Sequence, residues 1–496
     1  MITIRAMTDV TIDVVERVAW QRERIALDPE LLDFLQTRRA EMLAALLSGA
    51  RVYGVNTGTG YLAGADVDEA DLLHHQRNLL LGRAVGSPPW LSIEEARAVL
   101  VARLTGFLSG HAGVTPELCL FLVDRLNDDF VPAIPRHSVG SSGEVLPLAH
   151  AFQTFIWAGH VLARDGSTVT AEQTLEQRSV APYKPQAKEG IALLAGAPAA
   201  IALALAGRGA GQRLWETAVL IAAAAIDALQ APLDPYDPAL GALTDDPLTR
   251  DVLDRLAFLL EGSSRAAALS IQAPVSYRVI PQLLVHLARV LARLEDDTTR
   301  ALASVGDSPV FTDGRFLSNG SFHAIELAAG LDSLGLALVR VAELSGQRTH
   351  RLLDNRFSGL PDQLSGAPGH NCGLVVVQKR VLGSLNELRR LGAPASIGIG
   401  DTSLGQEDAM TFSFEVAEKL RRITTVVSEV FACELLVIRQ AWALRGLTPP
   451  PGLQPLALQL AELVEPVAKD RPLGPDVDRL ITFIGEPSAR MDGGCE

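Results

Sequence analysis

The chain holds only four cysteines in 496 residues, Cys119, Cys372, Cys433 and Cys495, and no two stand in a C-x-x-C spacing. That excludes a disulfide framework or a zinc site read from spacing, and fits reduced thiols in a cytosolic protein. No run of Lys and Arg is present and the net charge is −14, which argues against a nucleic-acid partner. The first residues, Met1-Ile2-Thr3-Ile4-Arg5, are soon followed by acids and form no apolar h-region, so no signal peptide is expected. The chain also lacks an alternating β-strand series, a short-period repeat and a low-complexity linker. Its one long apolar run, Gly190 to Gly207, is rich in Ala and Gly and contains Pro198. A buried helix pair is expected there, not a membrane span.

Hydrophobic residues make up 48% of the chain, enough for a large core. Length alone suggests about three domains as a soft prior, and the pattern of elements suggests two, residues 1–200 and 201–496. Residues 10–50 read as two amphipathic helices, with further helices at about 66–83, 91–109, 115–127 and 147–164. Residues 164–186 are polar and proline-bearing, with room for two short strands. Beyond residue 188 long helices dominate. Leu283, Leu287, Val290 and Leu294 recur at intervals of four, three and four. So do Leu327, Leu331, Leu334, Leu338 and Val341, and likewise Val416, Leu420, Ile423, Val427 and Val430. This is the seam of packed long helices. The expected fold is all-α, a long-helix bundle with a small mixed N-terminal region.

Two glycine-rich stretches stand out. In Gly140-Ser141-Ser142-Gly143-Glu144, Gly143 has no Cβ, so its nitrogen can approach the Ser141 carbonyl carbon. Attack there closes a five-membered ring with loss of water. Loss of the Ser142 hydroxyl as a second water leaves an exocyclic methylidene. The product, methylidene-imidazolone, is an electrophile made from the chain itself. The plainer reading is a Gly-Ser turn with Ser141 or Ser142 capping the next helix. The second stretch is Tyr53-Gly54-Val55-Asn56-Thr57-Gly58-Thr59-Gly60. Without G-K-[ST], or G-x-G-x-x-G after a strand, it does not read as a nucleotide loop.

In context, Val139-Gly140-Ser141-Ser142-Gly143-Glu144-Val145-Leu146-Pro147-Leu148-Ala149-His150 resembles the G-A-S-G-D-L-x-P-L-A-H signature of the aromatic amino acid ammonia-lyases, the family of the histidine and phenylalanine ammonia-lyases. The Tyr53 loop resembles that family's Y-G-V-N-T-G-x-G. The likeness spans about residues 10–440 and is nearest the histidine type. It implies an all-α fold, a homotetramer with active sites built from several subunits, and a methylidene-imidazolone formed from Ser141, Ser142 and Gly143. It also implies that Tyr53 is the catalytic base, a role for which a phenol of ordinary pKa about 10 needs a cationic or N–H partner.

Other segments carry the likeness further. Gln272 to Gln282 is similar to Q-D-x-Y-S-x-R-x-x-P-Q, in which the arginine, here Arg278, grips the substrate carboxylate; a surface charge is the alternative. Gln406-Glu407-Asp408 looks like the histidine-type segment, where a carboxylate bonds an imidazole N–H; the alternative is an acid at a helix N-terminus. Phe322, in Ser318-Asn319-Gly320-Ser321-Phe322-His323, would face the ring. His323 and His370 read as packed, hydrogen-bonded residues, and Asn371 lies in another family-like stretch.

The chain departs from the family pattern around the same site. Ala195 replaces an asparagine, Ala273 and Val275 replace the D and Y, and Arg83 replaces a histidine involved in substrate selection. Each change alters a polar group that orients the substrate. The first expectation is a cytoplasmic lyase releasing ammonia from a histidine-like L-amino acid, with a small-molecule substrate and neither nucleic acid nor membrane as partner. Alternatives are an aminomutase of the family, a betaine lyase that needs no ring and expels trimethylamine, and a non-catalytic homologue.

Overall fold

The structure is a computed structural model that describes residues 1–485 except Ser141 and residues 265–268. It is dominated by helices, the longest being Pro198–Leu229, Ile280–Leu302, Ile325–Leu352 and Ser413–Arg445. The chain divides into two compact units. The first comprises Met1–Gly207, Leu294–Asp332 and Ala395–Glu418; the second comprises Arg208–Arg293, Ser333–Pro394 and the chain from Lys419 onward.

Helices of the first unit start where the sequence provides caps. Thr11 accepts from the Val14 amide, Asp28 precedes Pro29, and Thr115 precedes Pro116. Ser92 and Glu95 form a capping box at the head of Ile93–Leu108. That helix is buried on every face from Glu95 to Leu108. Its two core arginines are satisfied inside the protein, as buried cations must be. Arg97 donates to the Val18, Ala19 and Leu126 carbonyls and pairs with Asp129; Arg103 pairs with Asp307 and donates to the Ala195 carbonyl.

Three two-stranded pairs complete this unit. Ile2–Ile4 runs parallel to Ile25–Leu27, with Ile2 opposite Ile25. His160–Leu162 and Thr168–Thr170 form a hairpin, as do Val310–Thr312 and Arg315–Leu317. The first hairpin corrects the expected helix over 147–164. The α-helix ends at Phe152 and a 3₁₀ turn at Ile156. Trp157 and Gly159 then take left-handed backbone, which no helix continues.

In the second unit the core holds an ion pair. Arg348 donates from Nε and Nη2 to the two Glu434 oxygens at 2.7 and 2.9 Å, and both side chains are buried. Tyr277 donates its hydroxyl to the Arg348 carbonyl, and Tyr236 donates to that of Tyr277. The seams at 327–341 and 416–430 are buried throughout. In Ile280–Leu302 the seam shifts by one residue, because Leu291 is buried where Val290 was expected and Val290 is half-exposed.

The apolar run is a helix pair, Glu189–Leu194 and Pro198–Leu229. By length and composition it could cross a membrane, but 78% of its most apolar window is buried inside the protein. Gly190 is what lets the first of these helices meet Leu72–Leu81. A Cβ there would stand 2.3 Å from the Gln76 carbonyl oxygen, a contact with backbone that cannot give way. Gly190→Ala is therefore expected to destabilise the protein by about 1–3 kcal/mol. Urea unfolding checks this, and an unchanged midpoint would contradict the packing described.

Candidate active site

Within the first unit, five segments converge. The loop at Tyr53 is built by its own letters. Asn56 accepts from the Val52 amide and donates to the Ala50 carbonyl, and the buried Thr57 hydroxyl accepts from the Gly54 amide. Val52 and Val55 are buried beneath it, and Gly54 holds φ of +68°, where a Cβ would be strained. Gln76, fully buried on Leu72–Leu81, donates to the Gly54 carbonyl and accepts from the Ile191 amide. The loop is thereby fixed to two helices. The result presents the Tyr53 hydroxyl oxygen to the Gly60 N–H, which donates to it at 2.7 Å.

The loop carrying Ser142 and Gly143 is held from two sides. Glu407 accepts from the Ser142 amide at 3.2 Å through one carboxylate oxygen and from the Ser403 hydroxyl at 3.0 Å through the other. Glu144 points away from its own helix. Its carboxylate accepts from the Ala199 and Ala200 amides, each at 2.6 Å, at the head of Pro198–Leu229. Among the described residues the Ser142 hydroxyl faces only the Met410 sulfur, 3.7 Å away, and caps no helix; Glu144 occupies the cap position of Val145–Phe152. The Phe322 ring stands 3.4 Å from where a Cβ on Gly143 would sit. Ser141 lies outside the described residues.

Arg83 follows the end of Leu72–Leu81. It is half-buried and donates to the Leu79 carbonyl and the Thr59 hydroxyl. Burial pulls its pKa down, against the attraction of Tyr53 and Glu407. Tyr53, Arg83, Glu407, Ser142, Gly143 and Phe322 thus share one unit. Gln272 and Arg278 belong to the second. Gln272 is exposed; Arg278 is half-buried at the end of a one-turn helix, its Nε without a partner among the described residues. The position expected of an asparagine, Ala195, ends Glu189–Leu194 and offers only its carbonyl, taken by Arg103. Val275 is exposed and Ala273 buried in the second unit.

Some expectations are corrected. Glu407 is not a first-turn acid, since the next helix begins at Ser413. His323 is half-buried with Nε2 unpartnered among the described residues, and His370 is exposed, so neither is the packed, bonded residue expected. Among the described residues no cluster of metal ligands occurs, and Cys119, Cys372 and Cys433 are free thiols; Cys495 lies outside them. Sequence reading missed Gln76 and Arg103. A Gln among the polar residues of Leu72–Leu81, or an Arg in the buried helix Ile93–Leu108, gives no positional signal until its backbone partners are known.

Residues 10–465 match the family model described as aromatic amino acid lyase. The chain belongs to the aromatic amino acid lyase family. It is 31% identical to a histidine ammonia-lyase of Geobacillus thermodenitrificans, the alignment covering 98% of each chain. Among solved structures, the tyrosine aminomutase of Streptomyces globisporus is 25% identical with a TM-score of 0.89, covering 97% of this chain and 96% of that one. Ergothionase of Treponema denticola, an ergothioneine-degrading enzyme, is 21% identical with a TM-score of 0.93 over 97% and 98% of the two chains; that likeness shows the fold alone. By its family this chain is an enzyme, a carbon–nitrogen lyase.

Burial pushes the Glu144 carboxyl up to about 8, against the two amides and the Arg103 charge that favour its ionised form. A raised acid stabilises the fold below its ordinary range, and that contribution is lost as pH rises through about 8. The stability of the wild type relative to Glu144→Gln is therefore expected to shrink by about 1 kcal/mol or more between pH about 5 and about 8. Denaturant midpoints at a series of pH values measure this. A gap that widens with pH would identify Glu144 as an ionised cap.

Proposed function

We propose that this chain eliminates ammonia from a histidine-like aromatic L-amino acid, leaving an α,β-unsaturated acid. The observation that carries the reading is the meeting of the Tyr53 hydroxyl, the Glu407 carboxylate and the Ser142–Gly143 loop in one unit. Tyr53 is the base that takes the β-proton. Negative charge developing on its oxygen is met by the Gly60 N–H and the nearby Arg83 cation. Glu407 leans the choice of ring towards imidazole, because a carboxylate accepts from a ring N–H. The histidine ammonia-lyases among the relatives support the same choice.

The residues present fit a methylidene-imidazolone formed from Ser141, Ser142 and Gly143. Gly143 brings no Cβ to obstruct its nitrogen, Phe322 covers it on one side, and among the described residues the Ser142 hydroxyl has only a weak sulfur acceptor to lose. When formed, the ring supplies an electrophile that makes the substrate amine a better leaving group. Glu407 and Glu144 hold the loop that contains it. Arg278 is the residue to grip the substrate carboxylate through its planar fork, with Gln272 near it in sequence. A homotetramer whose sites draw on several subunits would bring them to the cluster. A cytoplasmic setting agrees with the free thiols.

The test is incubation of the purified protein with L-histidine, L-phenylalanine and L-tyrosine, following ammonia and the ultraviolet absorbance of the unsaturated acid. Release from L-histidine is expected. Tyr53→Phe should lower kcat by about 10²–10⁴-fold with the fold intact. No ammonia from any of the three, or an unaffected Tyr53→Phe enzyme, would contradict the proposal.

A further inference from the structure

Glu407 meets the Ser142–Gly143 loop at an atom that has to change. The Ser142 amide donates to one Glu407 carboxylate oxygen at 3.2 Å. A five-membered ring closed from Ser141, Ser142 and Gly143 contains that nitrogen, and the finished ring leaves it no hydrogen. Two other acids hold this part of the chain, at atoms the ring does not contain. Glu415 accepts from the Val139 amide at 3.3 Å, and Glu144 accepts from the Ala199 and Ala200 amides. Of the three, Glu407 alone is bonded to an atom of the proposed ring. The chain is bent sharply to put it there. Thr402 and Glu407 exchange backbone hydrogen bonds at 2.8 and 3.2 Å, across a turn in which Ser403, Leu404 and Gly405 all hold left-handed backbone. Two of those three residues carry a Cβ, and such strain persists only where the surrounding structure enforces it. The Ser403 hydroxyl donates to the second Glu407 oxygen at 3.0 Å, which leaves the first turned to Ser142.

We propose that Glu407 carries the proton that the Ser142 nitrogen gives up as the ring closes, so that this acid matures the site before any substrate arrives. The proposal rests on the methylidene-imidazolone reading of the same loop. The Gly143 nitrogen bonds to the Ser141 carbonyl carbon, and its hydrogen passes to the Ser141 oxygen. The electron pair of the Ser142 N–H bond then makes the second bond to that carbon while the C–O bond breaks. Glu407 takes the proton along the hydrogen bond already in place and hands it to the departing oxygen, which leaves as water. The second water takes the Ser142 hydroxyl and the hydrogen on its Cα. Two waters leave, nothing is oxidised or reduced overall, and Glu407 ends as a carboxylate. Its first oxygen has by then lost its donor, because the Ser142 nitrogen keeps only a lone pair. An acid with both oxygens engaged before maturation can therefore accept from an imidazole N–H afterwards. The structural alternative is that Glu407 only props the loop. That role needs an acceptor for the Ser142 amide, which a glutamine side chain also supplies, and no base.

The test follows ring formation and not turnover. Full-length chains are made in a short cell-free pulse and chased, and the mass of the peptide from His137 to His160 is read over time. The wild type is expected to lose two waters. In Glu407→Gln, which keeps an acceptor for the Ser142 amide but cannot carry a proton, that loss should be about tenfold or more slower, within the reach of one proton carrier. Circular dichroism checks that the variant folds. If it does not, Glu407→Ala chased with and without formate takes its place; a rate restored by this small carboxylate supports the proposal, and indifference to it overturns the proposal. Glu407→Gln maturing at the wild-type rate overturns it as well, and leaves the ammonia-lyase reading standing. Wild-type chains that keep their full mass sink the ring and this proposal together. Ring formation that depends on Glu407, without ammonia from L-histidine, L-phenylalanine or L-tyrosine, supports this proposal and removes the reaction.

Discussion

The double hydrogen bond from the Ala199 and Ala200 amides to Glu144 is the constraint on which the site depends. It closes a circuit. Glu144 ties the Ser142–Gly143 loop to the head of Pro198–Leu229. Just upstream, Arg103 holds the Ala195 carbonyl and pairs with Asp307. The Asn319 side chain donates to the Asp307 carbonyl, and the same segment sets Phe322 over Gly143. The Glu144 bonds and the Arg103–Asp307 pair are buried, where an unmade bond is expensive. The Ser142–Gly143 loop is thus held by groups outside the proposed ring.

A second feature is how charge is distributed around that loop. Acids and bases inside the first unit are mostly paired or bonded to backbone, as with Arg97, Arg103 and Glu144. Against that background Arg83 differs, because among the described residues it donates only to the Leu79 carbonyl and to the hydroxyl of Thr59, the neighbour of the Gly60 amide that meets the Tyr53 oxygen. The family relation explains why these segments meet. Arg83 and Ala195 stand where the family pattern has other residues, and we propose that they bear on what the site accepts. Ala195 contributes only backbone, so polar orientation has to come from elsewhere in the pocket.

Much of this was legible in the sequence. Helix periodicity located the long helices, and caps such as Ser92 with Glu95 marked where others begin, because both signals are local. The Tyr53 loop was readable because Asn56 and Thr57 fold it by short-range bonds. The hairpin at His160–Thr170 was misjudged because the helix stops at Trp157, a residue that does not signal left-handed backbone, and Gly159 alone was read as lying within a helix. Glu144 was visible only as a substitution for Asp; that it caps a helix more than fifty residues on is a tertiary fact. The same holds for Gln76, whose two backbone partners come from different segments.

The central claim is the proposal that Ser141, Ser142 and Gly143 cyclise to a methylidene-imidazolone. The most direct measurement is the mass of the peptide from His137 to His160 taken from the purified protein. A mass lower by two waters is the result this account predicts. An unmodified mass would contradict it.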